Sequence, residues 1–193
     1  YGNVTAVTDA LGRTTTNTYD ASGTYLVRIR NTLGHTRDLT YDPRFGTVTR
    51  STDQNAVATT TLYDPLGRVT KVIGPTDTAA LPTISYTYDL STNPAKTTVT
   101  TRIQSGAPDV LTASTFTDGL GRAIQTRSPA EDPTKQVVTG AVEINPRGLV
   151  VKQWVPYLDD VASTYRPVSL VTGHSSLATV SYTYDPLGRL LTM

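Results

Sequence analysis

Histidine changes charge near neutral pH, so acid–base or metal chemistry in this 193-residue chain is sought first at its two histidines, His35 and His174. His174 precedes Ser175 and Ser176. A serine hydrolase would also need an orienting acid and an oxyanion site, and no Gly-x-Ser-x-Gly word is present, so this segment reads as a polar loop. His35 closes a degenerate turn word described below and reads as a surface residue. Asp–Pro pairs stand at Asp42-Pro43, Asp64-Pro65, Asp132-Pro133 and Asp185-Pro186. Three of them fall in repeat register, where turn geometry explains them without self-cleavage. Glycoside hydrolysis needs two acids facing each other across a cleft, whereas Glu131-Asp132 and Asp159-Asp160 are adjacent in sequence and read as solvated loop residues. Asp53-Gln-Asn55 lacks the glycine and terminal glutamate of a calcium loop, and Asp109, Asp159 and Asp160 are left as loose cation candidates. No cofactor and no enzymatic activity are expected. Sugar binding is the stronger chemical rival: aromatic rings offer flat apolar faces beside many Thr, Asn and Asp hydrogen-bonding groups, and Trp154 and Tyr157 are the candidate glycan-facing aromatics.

Bulk composition narrows the choice. Lys and Arg total 17 against 16 Asp and Glu, a formal net charge of +1, so no basic excess exists to hold nucleic acid. The chain has no cysteine, which removes disulfides and thiolate metal sites but leaves the compartment open. No apolar run approaches the ~18 residues needed to span a bilayer, so this segment is not expected to insert into a membrane. The chain starts at Tyr1 and has its only methionine at Met193; it reads as an internal piece of a longer protein. Thr is abundant, and 11 Tyr outnumber 2 Phe and 1 Trp. Both biases favour half-buried strands over helices.

The elements that would position these residues are set by a repeat. Asp9, Asp20, Asn31, Asp42, Asp53 and Asp64 are spaced 11 residues apart. One word recurs: Asp9-Ala-Leu-Gly12-Arg13, Asp64-Pro-Leu-Gly67-Arg68, Asp118-Gly-Leu-Gly121-Arg122 and Asp185-Pro-Leu-Gly188-Arg189. Asn31-Thr-Leu-Gly34-His35 and Asn145-Pro-Arg-Gly148-Leu149 are degenerate copies, and Tyr precedes the acid at Tyr19, Tyr41, Tyr63, Tyr88 and Tyr184. The aspartate accepts from an N–H two residues on, proline presets φ, and glycine takes a positive φ that returns the chain to a strand. That is a hairpin with a glycine bulge. The arginines are expected to pair with turn aspartates or carbonyls of adjacent hairpins. The leucine at the tip is expected to fold back onto a neighbouring hairpin, and each tyrosine to seal a strand end. The segments between words alternate as strands do: Ile84, Tyr86 and Tyr88 share one face, as do Val180, Tyr182 and Tyr184.

The predicted organisation is one continuous array in three stretches: 1–75 with regular spacing, 76–178 with longer intervals and loops, and 179–193 opening a further repeat. Candidate loops are 74–82, 105–109, 128–133 and 157–166, and a short helical turn is conceivable only within 159–165. The fold class is all-β, an antiparallel β-hairpin repeat array. Its open edges predict pairing with a second copy.

These words resemble the YD repeat of RHS proteins, a family that includes bacterial polymorphic toxins, the B and C components of Tc toxin complexes, and teneurins. A second stretch, Phe116–Arg127, Gln136-Val-Val138 and Asn145–Tyr157, resembles the part of bacterial RHS proteins that carries SpvB-like and TcB-middle domains. The resemblance implies a strip of β-sheet that spirals into a hollow shell around a toxic C-terminal domain. It also implies secretion or surface display by a bacterium. The partners would be neighbouring RHS repeats, an enclosed toxin domain and other toxin-complex subunits. An adhesive or carbohydrate-binding module is the alternative, and a self-cleaving unit the third.

Overall fold

The computed structural model describes residues 2–171 and 173–193, with only the backbone of His174 included. Strands follow one another almost without interruption, because each inter-turn segment is rich in β-branched and aromatic residues and each ends at a turn word. In chain order they are β1 (Ala6–Thr8), β2 (Thr14–Tyr19), β3 (Leu26–Arg30), β4 (Thr36–Asp42), β5 (Thr47–Thr52), β6 (Ala58–Tyr63) and β7 (Val69–Ile73). There follow β8 (Ile84–Asp89), β9 (Ala95–Arg102), β10 (Val110–Thr117), β11 (Ala123–Pro129), β12 (Lys135–Thr139), β13 (Val142–Ile144) and β14 (Val150–Trp154). The last are β15 (Tyr157–Asp160), β16 (Thr179–Ser181), β17 (Thr183–Tyr184) and β18 (Leu190–Thr192). The fold is all-β. A 13-stranded sheet runs β1 to β12 in sequence order and ends on β15, while β13-β14-β16 and β17-β18 form two small sheets. The only described helical segments are single 3-10 turns at Val168–Leu170 and His174–Ser176.

The chain divides into two compact units, residues 1–85 with 102–109, and residues 86–101 with 110–193. The first is a single layer of sheet. None of residues 2–85 is fully buried. Register puts Ile29 beside Asn17 and Arg37, and Leu39 beside Ser51, on one face; Arg28, Asp38 and Thr52 share the other. Order therefore comes from the ladder and from cross-strand pairs such as Arg28–Asp38 rather than from a core. The exception lies where Arg102 and Asp77 meet. Asp77 accepts from the Thr83 and Ser105 hydroxyls and from the Gly106 N–H, clamping the β7–β8 loop to the segment after β9.

The second unit has a true core. Val138, Ala141, Tyr157, Val168 and Val171 are buried together, with Trp154 and Leu177 packed against them. Phe116 is also buried and meets Tyr165 edge-on at 5.8 Å. Two layers are possible here because the chain leaves β12, makes the β13–β14 hairpin of the small sheet, and returns as β15 alongside β12.

Three expectations are corrected. The tip leucines do not fold back: Leu11, Leu66, Leu120 and Leu187 are 78%, 70%, 78% and 79% exposed. At the third turn position the side chain projects beyond the end of the ladder, where no neighbouring strand lies. Residues 157–160 are neither loop nor helical turn but strand β15, because Tyr157 to Asp160 pair in register with Val138 to Lys135. Asp159 is accordingly buried rather than solvated.

Candidate functional site

The recurring functional element of the chain is its corner. At the first turn word the Asp9 carbonyl accepts from the Gly12 N–H at 3.0 Å, and one carboxylate oxygen accepts from the Leu11 and Arg13 N–H groups, both at 2.9 Å. The second oxygen takes Arg13 Nε at 2.7 Å. Asp64 holds Leu66 and Arg68 in the same pattern, and Asp118 holds Leu120 and Arg122. Asp185 accepts from the backbone N–H and Nε of Arg189. Gly12, Gly67, Gly121 and Gly188 take φ of +78°, +77°, +78° and +83°. One carboxylate thus answers several N–H groups that the tight reversal would leave unpaired. Arg122 also reaches the next corner, donating Nη1 to the Gly148 carbonyl at 2.6 Å. The Arg13 N–H and then its guanidinium hold the Asp9 carboxyl below the usual aspartate range; for Asp118 the Arg122 guanidinium is the larger cause. The degenerate words make the same corner: the Asn31 side chain accepts from the Leu33 and His35 N–H groups, and exposed His35 stands where arginine stands elsewhere. In the Asp53 corner Ala56 occupies the glycine position at φ +62°.

A tyrosine fastens the corners opened by Asp20, Asp42, Asp64 and Asp185. The hydroxyls of Tyr19, Tyr41, Tyr63 and Tyr184 donate to the carbonyls of Val4, Leu26, Val48 and Val150 at 3.2, 2.9, 2.8 and 2.8 Å. In the first three cases the acceptor lies 15 residues back, on the preceding strand for Leu26 and Val48 and just before β1 for Val4. A register shift falls at each of these tyrosines in the hairpins that give one, at Thr18/Tyr19, Thr40/Tyr41, Leu62/Tyr63 and Thr183/Tyr184. The bulge turns the ring along the sheet so that the phenol reaches a carbonyl. The ring position was legible in the repeat; the hydrogen bond was not.

The second unit holds a polar lock that repeat spacing does not announce. Arg127 of β11 is fully buried. It donates to Asp159 Oδ2 of β15 at 2.7 Å, to the Asp160 carbonyl at 2.8 Å and to Gln136 Oε1 of β12 at 2.9 Å. Arg166 takes the other Asp159 oxygen at 2.7 Å. Gln125 Nε2 donates to the Arg166 carbonyl at 2.9 Å. With both oxygens held by arginines, Asp159 has no place for a cation. The one signal available in the sequence was the pair Gln125 and Arg127, two polar residues at alternate positions of a strand and hence on one face.

The two candidate glycan-facing aromatics separate. Tyr157 is 7% exposed and belongs to the core, so it faces no glycan; strand alternation points it, like Asp159, into the molecule. Burial first, then the Asp159 charge, pushes its hydroxyl pKa up. Trp154 is half-buried and lines an open cavity of about 670 Å³, with Lys152 Nζ 5.6 Å from its ring centroid. The His174 side chain lies outside the described residues.

No protein-family model and no curated protein matches the chain in sequence. Its fold is that of solved Tc-toxin structures. On the crystal structure of TcdB2-TccC3 it superposes over 92% of its length with a TM-score of 0.73 at 22% identity, covering 11% of that chain. TcdB2-TccC3 without its hypervariable C-terminal region matches over 92% of this chain and 14% of that one, with a TM-score of 0.72 at 17% identity. A Photorhabdus luminescens Tc holotoxin pore with a mutation in TccC3 matches over 92% and 13%, with a TM-score of 0.71 at 18% identity. The chain thus spans about an eighth of the length of these structures.

Proposed function

Proceeding from the fold shared with the TcdB2-TccC3 structures, we propose that this chain is a segment of the β-sheet wall of a secreted Tc-toxin-like shell, and that the wall of its parent protein encloses a C-terminal domain. The observation that carries the reading is the unbroken ladder. Thirteen strands follow in a sheet whose first unit buries almost nothing, a construction suited to a broad wall whose stability is summed over neighbours. The matched region is a small part of a much longer chain in each related structure, which supports a part played within a larger assembly. The partners are then the adjoining repeats and other subunits of a toxin complex, and the role of the segment is structural.

Proteinase K protection of the full-length parent tests enclosure. The C-terminal region should survive digestion in the wild type and become cleavable when Gly67 and Gly121 are both replaced by valine, since valine resists the positive φ of these corners. Equal digestion of that region in the two proteins would reject the enclosing role.

A further inference from the structure

We infer that the cavity beside Trp154 is a binding site for an uncharged pyranose. The cavity lies beside two of the corners, but the inference does not rest on the wall reading. The apolar part of the lining includes Ile124, Val142, Pro167 and the rings of Trp154 and Tyr165. Asp118 and Arg122 also border it, but their polar atoms are committed to the two corners, as is Asn145 Oδ1. Free hydrogen-bonding capacity is left to Glu143, Lys152 and Ser169, together with Asn145 Nδ2 and the Tyr165 hydroxyl.

Glu143 and Lys152 are cross-strand partners on β13 and β14, yet they form no ion pair: the ammonium sits over the Trp154 ring, and among the described residues no ion pair reaches the Glu143 carboxylate. The ligand therefore meets an acceptor and a donor of opposite charge beside an aromatic wall. A nucleotide or anionic lipid would suffer the carboxylate, and a cation would suffer the ammonium. A sugar ring satisfies all three features: its C–H face stacks on an aromatic ring, and its hydroxyls both donate to Glu143 and accept from Lys152. A volume of about 670 Å³ lies within the range of small-molecule sites and accommodates a disaccharide. Binding requires Lys152 to move from the ring face to a ligand hydroxyl, exchanging one contact of a half-buried cation for another.

Trp154 is the only tryptophan of the chain, so its fluorescence reports on this cavity alone. The 193-residue chain is titrated with cellobiose, maltose and N,N′-diacetylchitobiose, and binding is followed in parallel by calorimetry. At least one sugar should give a saturable emission change with half-saturation on the order of 1 mM, as expected for one stacked ring and a few exposed hydrogen bonds. Glu143→Ala and Lys152→Ala, both outside the core, should keep the circular dichroism spectrum and each weaken binding about tenfold or more. Trp154→Phe should abolish or strongly weaken the calorimetric signal. The absence of saturable binding by all three sugars up to about 50 mM would overturn the inference. So would binding that neither charge substitution affects, since the sugar would then sit elsewhere.

Discussion

Exchanging Ala56 for glycine should raise stability, although all it does is delete an exposed methyl group. Ala56 stands at φ +62° in the corner opened by Asp53, the position held by glycine in the other words. A left-handed conformation costs a residue with a Cβ ~1–2 kcal/mol. Glycine brings extra freedom to the unfolded chain, which takes back ~0.4–1 kcal/mol. The net gain for Ala56→Gly is ~0.5–1 kcal/mol, or about 1–4 °C in Tm for a chain of this length. The converse substitutions calibrate the argument. Gly12→Ala places its Cβ where nothing lies within 4 Å, so only the φ penalty applies, ~1 kcal/mol. At Gly67 the new carbon would stand 3.0 Å from Phe45 Cδ1 and 3.1 Å from Cγ, so the ring must shift and the loss rises to ~2 kcal/mol. Thermal and urea melts of the three variants, followed by circular dichroism, should rank Ala56→Gly above the parent, then Gly12→Ala, then Gly67→Ala. A melt of Ala56→Gly at or below the parent would refute the corner energetics, and equal losses at Gly12 and Gly67 would refute the steric part.

Tyr63→Phe removes the hydroxyl that donates to the Val48 carbonyl and should destabilise the chain by ~0.5–1.5 kcal/mol in denaturant titrations; no loss would mean that the ring alone fastens the strand end. Arg127→Met empties the centre of the buried lock and leaves Asp159 with Arg166 alone, so a loss of ~3–5 kcal/mol is expected, with amide exchange fastest along β15; a neutral melt would show that apolar packing can replace the lock. The folded pKa values of Asp9, Asp118 and Asp185 lie below the ordinary aspartate value. Their contribution is therefore complete above the unfolded pKa of about 4 and is lost as pH falls through the lower folded values. Tm should be flat from about pH 8 to 5 and decline below about 4; a Tm that rises on acidification in that range would contradict the assigned hydrogen bonds.

How much of this could be read from residues alone varied by element. The corners were legible because their chemistry is local: the carboxylate, the glycine and the N–H groups they serve lie within five residues. The same holds for the all-β class, since threonine-rich and tyrosine-rich segments between such corners have few other solutions. Strand β15 was misread as loop because Leu158, Asp159 and Asp160 carry no strand signature; they become a strand by pairing with β12 after the chain has left for β13 and β14. The tip leucines misled for the opposite reason. Apolar character suggested burial, but geometry places the third corner residue past the end of the ladder.

Where the chain reverses, which residue turns each corner, and that the result is a sheet extended hairpin by hairpin all follow from the order of residues, because those interactions close over a handful of bonds. The folded arrangement was needed to see that Arg127, Gln136, Asp159 and Arg166 converge, that Tyr157 turns inward while Trp154 borders a cavity, and that Glu143 and Lys152 form no ion pair with each other beside it. Those relations join residues up to 41 positions apart, as Gln125 and Arg166 are, and at that separation the partner is chosen by how sheets pack rather than by spacing along the chain.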